Sequence, residues 1–101
     1  MSKIKHIAIA TQEPDKAASF YKVVFDLQEV GRVDKESAEG YYLSDGHVNL
    51  AVLRFKNDTA AGQALGTEYS GIHHIGFQVD DAAATDAKLR NADSFPMDEI
   101  N

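Results

Sequence analysis

The chain has 101 residues, 44% hydrophobic and 26% charged, which suits one small domain rather than two. It contains no cysteine, so disulfide frameworks, thiolate nucleophiles and cysteine zinc sites are excluded, and any metal would rest on nitrogen and oxygen ligands. A net charge of -6 argues against nucleic acid or an anionic membrane as partner, and no apolar run nears the roughly 18 residues of a membrane span.

Lys3 to Ala10 is rich in isoleucine and bounded by Thr11-Gln12-Glu13-Pro14, which predicts a strand closed by a turn and leaves no signal peptide. The chain thus reads as cytoplasmic. Alternation puts Ile4, His6, Ala8 and Ala10 on one face of the strand and Lys3, Lys5, Ile7 and Ile9 on the other. From Asp15 to Phe25, apolar residues Ala17, Phe20, Tyr21, Val24 and Phe25 recur at helical spacing behind Pro14, predicting an amphipathic helix. Three strands are expected next: Gln28 to Asp34, Gly40 to Ser44 and His47 to Phe55, the last two joined by an Asp45-Gly46 hairpin. Tyr41 and Tyr42 alternate, so one ring enters the core and the other faces the opposite side. Together these elements make a βαβββ module over about residues 3–55.

Residues 56–70 carry Asn57-Asp58 and two glycines, predicting a linker with a helical turn near Ala60 to Ala64. Gly71 to Asp80 then reads as a strand, and Asp81 to Ala92 as an alanine-rich helix capped by Asp80 or Asp81. The order has restarted. A shift of 68 residues lays Ile4 on Ile72, His6 on His74, Ile7 on Ile75, Ala8 on Gly76 and Ile9 on Phe77, so an internal duplication is expected.

His6 and His74 occupy equivalent places in that repeat, each two residues before a small one. If Ile7/Ile9 and Ile75/Phe77/Val79 pack under helices, the two imidazoles project from the opposite face into a concavity. There they could bind a divalent metal (Zn, Fe, Mn, Ni or Co), or simply satisfy hydrogen bonds inside a polar barrel. His73 alternates with His74 and should point toward a helix. Asn49, mid-strand, is better placed as a third ligand than His47, which sits by the turn at the rim; an asparagine there could equally bond a neighbour or water. No nucleophile elbow and no phosphate loop is present, and Asp80 and Asp81 read as a helix cap rather than an acid/base pair.

His6-Ile7-Ala8-Ile9, the segment Ala18 to Leu27, and Gly71-Ile72-His73-His74-Ile75-Gly76-Phe77-Gln78-Val79-Asp80-Asp81 resemble the vicinal oxygen chelate superfamily over roughly residues 3–92. That superfamily includes glyoxalase I, methylmalonyl-CoA epimerase, extradiol dioxygenases and bleomycin-resistance proteins. The resemblance implies an α+β fold of paired βαβββ modules around a divalent metal that chelates two adjacent substrate oxygens. It also implies His6 and His74 as first-strand ligands, Asn49 as a last-strand ligand, a small-molecule substrate and a homodimer. The shift that relates the modules carries Asn49 to position 117, past Asn101, where the family commonly places a glutamate; nothing in its spacing makes Glu99 a substitute. The second module, about 71–101, is therefore expected to be incomplete at its C-terminus, or completed by a partner chain. The functional expectation is a metal-dependent lyase, isomerase or dioxygenase. The alternative is a non-catalytic binding protein of the bleomycin-resistance type.

Overall fold

The computed structural model describes residues 2–62 and 64–92; Glu99 lies outside them. The chain runs β1 (Lys3–Ala10), α1 (Pro14–Phe25), β2 (Gln28–Asp34), β3 (Ala38–Ser44), β4 (Asn49–Phe55), a short α2 (Asp58–Ala61), β5 (Gly71–Gln78) and α3 (Ala82–Asn91). The expected βαβββ order is present, followed by a second strand and helix.

Local chemistry sets the boundaries. Pro14 opens α1, where its missing N–H is no loss, and Asp26 ends it in the left-handed conformation at φ 57°. The strand predicted from His47 begins instead at Asn49. Asp45 Oδ1 accepts the backbone N–H groups of His47 and Val48, both at 2.8 Å, and so removes them from the ladder. Pairing closes at Ser44 opposite Asn49, and the predicted two-residue hairpin becomes a four-residue connection. Those two bonds, with Val48 the stronger cause, hold the Asp45 carboxyl below its usual range. β3 starts earlier than expected because Ala38 and Glu39 pair with Phe55 and Arg54. Asn57 caps α2 by accepting the Ala60 N–H at 2.8 Å, which starts the helical turn ahead of the predicted position. At α3 the cap is Asp81, which accepts from Ala84 at 3.0 Å.

The five strands form one sheet in the order β2-β3-β4-β1-β5, with β1 parallel to β4 and antiparallel to β5. The β1–β5 register displays the duplication directly. His6 faces Gly76 and Ala8 faces His74, so each residue meets the repeat mate of the other pair. Ile7 faces Ile75, its own repeat mate, and this pair marks a local twofold axis.

On one side of the sheet, Ala18, Leu43 and Val52 are buried with Tyr21, Leu27 and Tyr41 packed around them, under α1. Full burial of Leu43 and Val52 is worth about 1.5–3 kcal/mol each. The other side gathers Ala8, Val33, Ala38, Ala51 and Leu53, with Tyr42 and Phe55 against them. Tyr41 therefore belongs to the helix side and Tyr42 to the opposite face. One expectation is corrected: Ile75 and Phe77 of β5 remain 48% and 63% exposed rather than packing beneath a helix. The reason lies in α3, whose single large apolar residue is Leu89 and which buries none of its residues.

Candidate metal centre

The site grows from β1 at the middle of the sheet. His6 is the register partner of Asn49 on β4 and of Gly76 on β5, so three strands converge on one spot. The local twofold brings His74 to meet His6, with ring centroids 5.2 Å apart and planes tilted by 31°. Small residues create the room. A Cβ on Gly76 would lie 3.1 Å from His6 Cβ, and fully buried Ala8 stands across from His74.

Asn49 Oδ1 is buried and has no hydrogen-bond partner among the described residues. Such an orphan carbonyl oxygen costs about 1–3 kcal/mol. It lies on the strand position beside His6, on the face that carries the buried Ala8 and Ala51. His47 stands apart on the exposed connection, where its carbonyl accepts from Lys5 Nζ at 3.2 Å. The structure thus brings His6, His74 and Asn49 into one neighbourhood and leaves His47 at the edge.

His73 departs from the sequence expectation. Ile9 pairs with Ile72 and Ala8 with His74, so His73 is an extra residue inserted into β5, a β-bulge. A bulge breaks strict alternation and turns His73 toward the same side as His74. Its ring packs on Phe55 at 4.5 Å, its Nδ1 lies 2.9 Å from His74 Nδ1, and its Nε2 bonds the carbonyl of Ala61. His73 does reach a helix, as predicted, but that helix is α2 in the linker. Nothing in the residue pattern signals the bulge, which is why the third imidazole of the cluster was not legible. Burial, followed by the neighbouring His6 and His73, lowers the pKa of His74 below the ordinary histidine value.

Two imidazoles and an amide oxygen make a donor set suited to borderline divalent ions such as Zn, Co, Ni, Fe or Mn. The orphaned Asn49 oxygen and the neighbouring His6 and His74 rings supply donor types that such an ion accepts. Among the described residues, no three histidine, aspartate or glutamate side chains gather into a group that could hold a metal, the His6, His73 and His74 cluster included. A separate concavity of about 430 Å³ lies at the start of α1 and is lined by Asp15, Arg32 and Tyr41. There the Tyr41 hydroxyl donates to Asp15 and Arg32 stacks 4.9 Å over the Tyr41 ring. The Asp15 bond raises the Tyr41 pKa.

The family model described as the glyoxalase/bleomycin resistance protein/dioxygenase superfamily matches residues 3–100. The chain belongs to this superfamily. Among solved structures of the same fold, a Streptomyces coelicolor methylmalonyl-CoA epimerase in complex with 2-nitronate-propionyl-CoA is 28% identical. That match covers 90% of this chain and 71% of the epimerase, with a TM-score of 0.69. A methylmalonyl-CoA epimerase in complex with methylmalonyl-CoA is 26% identical over 92% of this chain and 71% of its own, with a TM-score of 0.70. A hypothetical protein from Bacillus halodurans, at 22% identity and a TM-score of 0.70, shares the fold over 90% of this chain and 68% of its own. No curated protein sequence matches the chain significantly. Among the described residues, no helix is long and apolar enough to cross a membrane.

Proposed function

We propose that this member of the glyoxalase superfamily is a divalent-metal-dependent isomerase that moves a proton next to a carbonyl of a small acyl thioester. His6, His74 and Asn49 are its proposed metal ligands. The observation that carries the reading is the buried Asn49 oxygen, unpartnered among the described residues, at the strand position beside His6 of the His6–His74 pair. The likeness to epimerases that hold methylmalonyl-CoA and 2-nitronate-propionyl-CoA supports the substrate class. An ion held there supplies Lewis-acid stabilisation of the negative charge that develops on adjacent substrate oxygens. The protein's own contribution is position. Strand register fixes His6 against Asn49, and the twofold fixes His74 against His6. Ala8, Ala51, Leu53, Tyr42 and Phe55 form an apolar cluster on the same face of the sheet. A second copy of the chain is the proposed partner.

Metal analysis of the purified protein tests this reading. Stoichiometric Zn, Co, Ni, Fe or Mn is expected, lost in the double variant His6→Ala/His74→Ala. Wild-type protein without bound metal after loading would sink it. A sequestering protein of the bleomycin-resistance type is the second reading. It is favoured by an amide where a charged ligand would bind metal more tightly, and by the lack of a carboxylate joining the pair among the described residues. Such a protein would be stabilised by its ligand with metal chelated away, whereas the isomerase would need the metal.

A further inference from the structure

His73 and His74 form a directional hydrogen-bond chain that starts in the linker. The Ala61 carbonyl can only accept, so the bond from His73 Nε2 requires the proton to sit on that nitrogen. A neutral imidazole carries one N–H, which leaves His73 Nδ1 with a bare lone pair. The 2.9 Å contact between the two Nδ1 atoms must then be filled by a proton from His74 Nδ1. The reverse direction would set the His73 Nε2 lone pair against the carbonyl lone pairs. His74 is thereby left with Nε2 as its free ring nitrogen, on a ring whose centroid lies 5.2 Å from that of His6.

We propose that His73 is a positioning residue, which locks the tautomer and ring orientation of His74 through the relay Ala61 carbonyl, His73, His74. The anchor is rigid at its far end. Ala61 is 1% exposed, α2 is capped by Asn57, and the His73 ring rests on Phe55. The linker between the two repeat units thus reaches into the site through a backbone carbonyl. A histidine that binds metal through one nitrogen is commonly held by a hydrogen bond from the other, and here a second histidine accepts that bond. The consequence for metal affinity rests on the reading of His74 as a ligand; the tautomer does not.

Long-range proton–nitrogen correlation spectra of the metal-free protein, at a pH well above the ordinary histidine value, read both tautomers directly. In the wild type, His73 should carry its proton on Nε2 and His74 on Nδ1. His73→Phe keeps a ring against Phe55 but removes both hydrogen bonds, and His74 should lose its Nδ1–H preference. His73→Asn retains an acceptor near the Nδ1 position and should restore it. Zn2+ titrated by calorimetry should bind about 10–100-fold more weakly to His73→Phe, with most of the loss recovered in His73→Asn. A wild-type His74 protonated on Nε2 overturns the proposal without any variant, as does a tautomer that His73→Phe leaves unchanged. Tautomers that respond as stated in a wild type that binds no Zn2+ would uphold the relay and refute His74 as a ligand.

Discussion

Asn49 and His6 are register partners on neighbouring parallel strands, so the buried amide oxygen, without a donor among the described residues, and the first imidazole of the cluster emerge side by side from one face. The fold tolerates that orphan oxygen at a cost. Sites that sacrifice stability for a free polar group are often functional, since a ligand recovers what the metal-free protein lacks.

Replacing Asn49 with leucine should therefore separate stability from binding. Removing the orphan is expected to stabilise the metal-free protein by about 1 kcal/mol, read as a raised denaturation midpoint with chelator present. The same change should weaken Zn2+ binding at least tenfold, by about 1.4 kcal/mol. Asn49→Asp should act in the opposite direction on affinity, because a carboxylate is the stronger oxygen ligand. A leucine variant that binds metal as well as wild type would remove Asn49 from the site.

The pairing of β3 with β4, four residues along β4 from Asn49, depends on Gly40. With φ at +152°, a Cβ there would stand 1.9 Å from the Val52 carbonyl oxygen, which is backbone and cannot swing away. Gly40→Ala should cost about 3 kcal/mol or more, as forced strain in a buried ladder does. Gly46→Ala is the matched control. Its φ of +97° is strained for alanine, but nothing lies within 4 Å of the added carbon, so the expected cost is about 1–2 kcal/mol. Equal midpoints for the two variants in urea would refute the steric argument.

Much of this architecture was legible in the residues, and the failures have physical causes. Hydrophobic period and turn chemistry located β1 and α1 because each has a repeating apolar pattern and a strong boundary. The shift of 68 that aligned His6 with His74 reappears in space as the Ile7–Ile75 axis. The start of β4 was misplaced because an aspartate side chain can outbid the ladder for two amides, a contest that a propensity argument does not see. His73 was assigned to the wrong side for a related reason. Period-two reasoning assumes an unbroken strand, and a bulge at His73, between Ile72 and His74, breaks that alternation with no local signal in the sequence. The exposed Ile75 and Phe77 show the reverse limit. An apolar strand face reports what could be covered, whereas the covering depends on whether α3 has an apolar stripe to offer.

The electrostatics of His74 give a pH prediction with a definite sign. Burial is the largest cause of its lowered pKa, and repulsion from protonated His6 and His73 adds to it. The folded protein therefore resists a proton that the unfolded chain accepts near the ordinary value of about 6.5. The stability contributed by neutral His74 is fully present above that value and is lost as pH falls through the lower folded value. Metal affinity should fall once pH drops below the lowered folded value, because proton and ion compete for one lone pair of the folded protein. Proton NMR titration of the metal-free protein should place the His74 midpoint below 6.5. In His6→Ala the midpoint should rise only part of the way, since one like charge has gone while burial, the larger cause, remains. A wild-type midpoint at or above the ordinary value, or full recovery in His6→Ala, would show that burial does not dominate at this site.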